Sequence, residues 1–277
     1  MDHFEDQLLA SSLHAFSAAL AGHVTLPTVT VRKLFVALDG SDQDSTTRDA
    51  ATHVAARTGA EVVERVGLAT GHDIVREAAE AEAELIVMAA PFREDYRTTK
   101  DESLGSGADI VLCEAAVPVL LVREPMGQVG TCFKDVIIPI SVSGTKTPLE
   151  AAWALALAGS AARVEILDVP DLSVIEEVKH LLGDAIDVSA LKDEALKRAA
   201  SRDCMPVLAA AREAGTSQGL TVELIVKVGQ PLLVFDEATR DRHRFVVTSL
   251  PGAARGSPEF HRAHDLALRS RGPVLFV

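Results

Sequence analysis

The chain carries the same ending twice, and this repetition constrains the fold more than any other feature of the sequence. Residues 84–123 hold an apolar stretch (ELIVMAA), a charged loop, a helical segment and a second apolar stretch (VPVLLV). The last part of the chain repeats this order and closes on GPVLFV, residues 272–277. Short apolar stretches that alternate with helical segments are typical of parallel strands buried beneath crossover helices. The sequence therefore predicts two similar α/β units in tandem.

The same alternation of strands and helices extends over the earlier part of each unit. In the first unit the pattern predicts strands at residues 32–38, 61–66, 84–90 and 117–122. In the second unit it predicts strands at residues 133–140, 162–169, 220–228, 244–250 and 272–277. Local motifs mark three of the helices between these strands: Gly59 as the residue after a helix end, Thr70 and Asp73 as a capping box after the turn at residues 67–71, and Ser257 with Pro258 as a helix start. Parallel strands need crossover connections, which are right-handed in nearly all proteins. The predicted fold class is thus α/β, with two tandem doubly wound, Rossmann-like parallel-sheet domains.

The domain boundaries follow from changes in composition and from a linker that contains proline and glycine at residues 124–130. Residues 31–126 form the first predicted domain, which is shortened, and residues 131–277 form the second, with a helical insertion at 171–202. Residues 1–30 are a predicted N-terminal helical extension. Its residues 4–20 place apolar side chains on one helical stripe: Phe4, Leu8, Leu9, Leu13, Phe16 and Leu20. We expect this helix to dock on the body of the protein, with binding to a partner as the alternative.

Charge and cysteine content exclude several classes of protein. The net charge of −13 argues against nucleic acid or an anionic membrane as partner, because both require a basic surface. No apolar run reaches the ~20 residues of a membrane span, and the acidic start at Asp2 predicts no secretory signal. The three scattered cysteines suit neither a disulfide framework nor a metal knuckle. These features together predict a cytoplasmic protein.

The helix that follows the charged loop opens with a candidate anion site. Gly105, Ser106 and Gly107 stand at its start, where the free N–H groups and the positive end of the helix dipole attract phosphate. Gly105 and Gly107 would let the backbone approach a ligand closely, and the Ser106 hydroxyl would add one hydrogen bond. The alternative is an ordinary helix start in which Ser106 serves as a cap.

Asp39 is a second candidate, because it ends the first strand, where parallel sheets bind their ligands. It could orient a ribose or base, or it could cap the loop after the strand. His261 and His264 lie one helical turn apart, but without a third ligand they predict a solvent-facing helix surface rather than a metal site. We find neither a catalytic triad nor a Walker lysine, so we predict no enzyme activity and no metal.

The order and spacing of these segments resemble those of the universal stress protein family. Members of that family open with a strand that runs into Asp-Gly-Ser, as ALDGS does here at residues 37–41. They close with the pattern G-x-x-G-x9-G-[S/T], a helix and a PVLVV strand. Residues 104–122, LGSGADIVLCEAAVPVLLV, are similar to that close. The resemblance covers both halves of the chain, which therefore looks like a tandem universal stress protein.

This resemblance implies five parallel strands in each domain and, in many members, bound ATP at the carboxyl ends of the strands. The glycines and the Gly-Ser pair would hold its phosphates, near Asp39, Gly105, Ser106 and Gly107. The two leading glycines of the family pattern, however, fall here on Ala89 and Phe92. In the second half Ser141 replaces the aspartate that ends strand one. We therefore expect one degenerate nucleotide site, in the first half, and none in the second.

The resemblance also implies a use for the two closing strands. In the family this strand commonly pairs with its counterpart in a second domain. We expect residues Val117–Val122 and Val274–Val277 to pair within the chain, with a further homodimer and an unknown protein partner left open. Two functions then compete: a nucleotide-binding sensor in stress signalling or protection, and a nucleotide-free interaction module. A distant third is a metal or small-molecule binder that uses the insertion.

Overall fold

The computed structural model describes residues 24–93, 103–123, 128–140, 147–170, 193–251 and 255–277. The predicted N-terminal helix at 4–20 and most of the predicted insertion at 171–202 lie outside these residues. The remaining predicted strands and helices can be compared with the structure one by one.

Strands and helices alternate along the described residues. The strands are β1 (Lys33–Leu38), β2 (Glu61–Val66), β3 (Leu85–Ala89), β4 (Val119–Val122), β5 (Asp135–Pro139), β6 (Arg163–Asp168), β7 (Thr221–Val226), β8 (Phe245–Thr248) and β9 (Val274–Phe276). The helices are α1 (Gln43–Thr58), α2 (Gly71–Glu80), α3 (Ser106–Glu114), α4 (Val129–Cys132), α5 (Thr147–Leu157), α6 (Asp193–Ser217), α7 (Pro231–Thr239) and α8 (Pro258–Arg269). Every predicted strand is present, although most are one or two residues shorter than predicted at one or both ends.

All the described strands belong to one sheet, in the order β2-β1-β3-β4-β9-β8-β5-β6-β7. The pairs within each half are parallel, which confirms the predicted α/β, Rossmann-like class of fold. The halves meet where β4 pairs antiparallel with β9, with Leu120 opposite Leu275. Nine strands therefore form a continuous mixed sheet.

Helices cover this sheet on both faces and bury two apolar cores. One core joins side chains of α1, α4, α5 and α6 to alternate residues of the strands, such as Leu34 and Val36. The other joins α2, α3, α7 and α8 to the intervening residues, such as Phe35 and Ala37. The alternation follows from the two-residue period of a strand. We call these faces the α1 face and the α2 face.

The number of strands follows the sequence pattern, whereas the length of one helix differs from it. The first half contributes four described strands and the second half five, as the pattern predicts, although the resemblance implied five in each. Helix α6 runs without a break from Asp193 to Ser217, although the predicted insertion ended at 202. Pro206 lies inside this helix, so a proline that commonly ends a helix does not end this one.

Candidate functional site

The amino ends of helices α2 and α3 lie side by side at the carboxyl edge of the first half. Their backbones approach so closely that a Cβ atom on Gly71 would stand 2.5 Å from the carbonyl oxygen of Gly107 and 2.7 Å from Cβ of Ile110. Only a glycine fits at position 71 without a shift of one helix. The close approach brings two positive helix ends to the same place.

A cleft of about 450 Å³ opens at these two helix ends. Its walls come from the loop before α2, the loop after β3 and the first turns of α3. The lining residues are Ala69, Thr70, Gly71, Phe92, Arg93, Ser106, Gly107 and Ile110. Such a mixture of backbone amides, hydroxyl groups, one guanidinium and two apolar side chains suits a ligand with an anionic group and an apolar part.

Thr70 fixes the start of α2 through the capping box that the sequence predicts. Its hydroxyl accepts a hydrogen bond from the amide of Asp73 at 3.1 Å, and the Asp73 carboxylate accepts one from the amide of Thr70 at 3.1 Å. The hydrogen bond from the Thr70 side chain lowers the pKa of Asp73. The carboxylate therefore stays ionised at the mouth of the helix and occupies part of its positive end.

Gly105 gives α3 a different kind of start. At the N-cap it has φ 85° and ψ 149°, a conformation that is essentially restricted to glycine. Its amide donates a hydrogen bond to the Ser103 hydroxyl at 2.9 Å. A glycine has no side chain with which to cap the helix, so the α3 start lacks the Ser, Thr or Asp cap found at many helices. Ser106, the first residue of α3, is exposed and faces the cleft.

Phe92 forms the apolar floor of the cleft. It is 3% exposed and packs against Gly107, where an added Cβ would meet Phe92 Cβ at 3.3 Å. The sequence analysis placed Phe92 at a leading glycine of the family pattern. In the structure its ring fills space directly beside the α3 start, so the cleft is narrower than a glycine would leave it.

Arg93 connects the cleft with the end of β1. Its amide donates a hydrogen bond to the Asp39 carboxylate at 2.7 Å, and its guanidinium donates one to the Leu68 carbonyl at 2.9 Å. Arg93 adopts φ 59°, in the left-handed region that is uncommon for residues other than glycine. The two hydrogen bonds hold the residue in this conformation and aim its side chain along the wall of the cleft.

Asp39 organises the loop after β1. One carboxylate oxygen accepts the hydrogen bond from Arg93, and the other accepts one from the amide of Ser41 at 2.9 Å. Burial raises the pKa of Asp39, but the hydrogen bonds from Ser41 and Arg93 more than offset this effect, so its net pKa is below the usual value. The carboxylate is therefore charged at neutral pH, and its two oxygens already hold backbone amides.

The structure brings together only part of the predicted site. Ser106 and Gly107 line the cleft, and Gly105 is the N-cap residue of the helix that they begin. Asp39 does not line the cleft, but its carboxylate accepts a hydrogen bond from the amide of Arg93, which does. Thr70 and Gly71 also line the cleft, although the sequence predicted only a turn and a helix cap there. The glycine at the first position of α2 was the available signal for a close contact. Its partner, Gly107, belongs to α3, which is distant in sequence, so no local pattern identified it.

The corresponding edge of the second half has a different chemistry. Helix α8 starts with Ser257 and Pro258, as predicted, and the Ser257 hydroxyl accepts the amide hydrogen bond of Phe260 at 3.1 Å. Proline at the first helical position removes one N–H donor. The fully buried Glu150 accepts a hydrogen bond from the Ser249 hydroxyl at 2.6 Å beyond the end of β8. A buried carboxyl group and a capped helix are unfavourable for an anionic ligand.

Neither a metal cluster nor a membrane-spanning helix is found among the described residues. No group of three or more His, Cys, Asp or Glu side chains in the described ranges could hold a metal ion. In the same part of the chain, none of the helices has the length and apolar character needed to cross a bilayer.

Comparison with solved structures identifies the fold. A universal stress protein from Archaeoglobus fulgidus DSM 4304 superimposes with a TM-score of 0.52 and 13% identity, over 87% of this chain and 95% of the other. A candidate universal stress protein from Pseudomonas aeruginosa UCBPP-PA14 gives 0.53 and 13%, over 89% and 93%. A functionally unknown protein from Pseudomonas aeruginosa PAO1 gives 0.50 and 14%, over 88% and 82%.

The chain thus has the fold of universal stress proteins, along most of its length and most of theirs. Sequence comparison adds nothing to this result, since no protein-family model matches the chain. No curated protein matches it either. TM-scores of 0.50–0.53 at 13–14% identity establish a shared fold and leave the function to be argued from the site.

Proposed function

We propose that this chain is a universal stress protein that acts in stress signalling or protection by binding a nucleotide such as ATP in its first half. The observation that carries the proposal is the amino end of α3, which has no side-chain cap and opens beside Arg93 on a cleft of about 450 Å³. Phosphate groups are favoured where backbone amides, helix dipoles and a guanidinium meet.

The cleft suggests how the parts of a nucleotide would be distributed. The phosphates would lie at Ser106 and Gly107, within reach of Arg93. The ring of Phe92 and the side chain of Ile110 supply the apolar surface against which a base or ribose could pack. The cleft is lined by the hydroxyl groups of Thr70 and Ser106, but the Thr70 hydroxyl and the Asp73 carboxylate are engaged in the cap of α2. The role that we propose is therefore binding rather than catalysis.

A nucleotide-free interaction module is the second candidate, and two observations favour it. Phe92 packs against Gly107 and fills space next to the α3 start. The Asp39 carboxylate holds the amides of Ser41 and Arg93, so it would have to exchange partners before it could bind a ribose. Under this reading the paired halves serve as a platform for another protein.

We also propose that the two halves replace the two subunits of a homodimer. The closing strands of the halves, β4 and β9, lie next to each other at the centre of the sheet. Because each covers the edge of the other, neither strand is available for pairing with a second chain. A further homodimer would have to use another surface.

Nucleotide content and titration test the binding proposal. Protein purified without added nucleotide is denatured, and the released ATP, ADP and AMP are quantified by chromatography. ATP is then titrated into the stripped protein by calorimetry. Replacing Arg93→Gln removes one charge from the cleft, keeps the backbone bond to Asp39, and should weaken binding by about tenfold.

Arg48→Gln is the matched control, because Arg48 pairs with Glu64 on the α1 face, away from the cleft. It should leave the affinity for ATP unchanged. Equal losses of ATP affinity in the two variants would show that binding depends on the net charge of the protein and not on the position of Arg93. An empty wild-type protein with no heat of binding up to millimolar ATP would overturn the nucleotide proposal in favour of the interaction module.

A further inference from the structure

Strand β2, at one end of the sheet, leaves its α1 face open. Val62 is 39% exposed and Val66 is 62% exposed, whereas their partners in β1, Leu34 and Leu38, are fully buried. Paired residues of neighbouring strands point to the same face, so both valines extend the core of the α1 face into solvent. Glu64, which lies between them on the same face, pairs with Arg48 of α1 at 3.1 Å. The helix itself lies mainly over β1 and β3 and leaves the two valines exposed.

The second half shows what covers the equivalent position there. Strand β6 pairs with β5 as β2 pairs with β1, but Val164 and Ile166 of β6 are buried. Helix α6 packs over β6 and β7 and covers this surface with Val207, Leu208 and Ala211. Among the described residues of the first half, no helix takes the corresponding place over β2.

The chain has a segment of suitable length and pattern that enters on the same face. Val24, Leu26 and Val29 pack against the core of the α1 face, so the described part of the chain begins on this side of the sheet. The apolar stripe that runs from Phe4 to Leu20 would span about 25 Å as a helix. The six residues of β2 span about 20 Å, so one such helix would cover the strand.

We infer that residues 4–20 form a helix that lies over the α1 face of β2, where it buries Val62 and Val66 and takes the place that α6 takes over β6. This N-terminal segment thereby completes the layer of helices that the shortened first half lacks. It also screens the face of an edge strand that would otherwise be open to association. The inference is independent of what the cleft binds.

Photocrosslinking of the full chain tests the contact directly. Val66→p-benzoylphenylalanine places a photoreactive group at the most exposed valine of β2, which the inferred helix would contact. After irradiation, we expect crosslinks within one chain that map to residues 4–20 by mass spectrometry of the digested protein. The same substitution at Leu233, which is 52% exposed on α7 of the α2 face, should give none to this segment.

Hydrogen exchange provides a second measurement. Deleting residues 1–23 should speed the exchange of β2 amides by about tenfold and leave β6 unchanged. Crosslinks from position 66 into a second chain would overturn the inference and assign the surface to self-association. Crosslinks that avoid residues 4–20, or β2 exchange rates that are the same with and without the segment, would also overturn it.

Discussion

At the scale of single residues, the cleft depends on two glycines that let helices and side chains approach. Gly71 lies against the carbonyl of Gly107, and Gly107 lies against the ring of Phe92. A larger residue at either position would have to move a neighbour. The geometry of the candidate site is therefore set by the absence of side chains as much as by the groups that line it.

Gly71→Ala tests this dependence. The added Cβ would stand 2.5 Å from a backbone oxygen, which cannot rotate away as a side chain could, so α2 and α3 must separate. We expect a loss of about 1–3 kcal/mol in the free energy of unfolding, measured by urea denaturation, together with weaker ligand binding in the cleft. Overpacking of this kind acts on stability and on the site at once.

Gly130→Ala is the control for the same chemical change. Nothing lies within 4 Å of a Cβ built on Gly130, and the residue is inside helix α4. Alanine should be neutral or slightly stabilising there. If Gly71→Ala were as mild as Gly130→Ala, the two helices would not be held together as closely as the structure indicates.

At the scale of elements, Arg123 joins the end of β4 to the end of α8. Its guanidinium is buried and donates hydrogen bonds to the carbonyls of Ala267 and Leu268 at 2.8 Å and 2.9 Å. These carbonyls belong to the last turn of the helix, where the positive charge also interacts favourably with the negative end of the helix dipole. One side chain of the first half thus caps a helix of the second.

Arg123→Met should lower the free energy of unfolding by roughly 2–4 kcal/mol, because two buried carbonyls lose a charged donor. Arg123→Lys should restore part of the loss, since an ammonium group keeps the charge but not the fork of donors. Arg269→Met removes an exposed arginine from the same helix end and should change stability by less than about 0.5 kcal/mol. Equal effects at positions 123 and 269 would contradict the capping role.

The sequence predicted the elements well where the signal is local. Gly59 ends α1 in the left-handed conformation, Thr70 and Asp73 form the capping box, and Ser257 with Pro258 starts α8. Each of these motifs works within a few residues. The hydrogen bond between Arg93 and Asp39 spans 54 residues, and no local pattern indicated it.

The length of α6 is a second feature that local sequence patterns did not predict. The predicted helical insertion ends at residue 202, but the structure has one helix from Asp193 to Ser217. Packing of its described residues Val207, Leu208 and Ala211 on the sheet stabilises this helix beyond its local propensity. Tertiary contacts therefore set the length that the sequence pattern left undefined.

At the scale of the whole molecule, two half-buried histidines lie where the halves meet. His264 was predicted to lie on a solvent-facing helix surface, but its side chain is only 18% exposed. His53 of α1 stacks on Phe133 with ring centroids 3.9 Å apart, and its Nε2 lies 2.9 Å from the carbonyl oxygen of Leu157. On the opposite face of the sheet, Nε2 of His264 lies 3.5 Å from the carboxylate of Asp109. Each histidine thus belongs to one half and contacts the other.

Burial lowers the pKa of both imidazoles. For His53 it outweighs the bond to the Leu157 carbonyl, and Arg57 lowers the pKa further. For His264, burial outweighs the attraction of Asp109 and Asp265, while Arg123 and His261 lower the pKa as well. The unfolded chain, with histidine pKa values near 6.5, therefore binds more protons than the folded chain when the pH falls through that value.

The free energy of unfolding should consequently decrease as the pH falls from about 7 to about 5, and this stability should be regained as the pH rises again. Asp39 adds nothing in this range, because its lowered pKa keeps it ionised throughout. The double variant His53→Gln/His264→Gln should flatten the dependence measured by urea unfolding at several pH values. If the free energy of unfolding of the double variant depended on pH as steeply as that of the wild type, other groups would bind the protons. The contact between the halves would then not respond to pH through these two side chains.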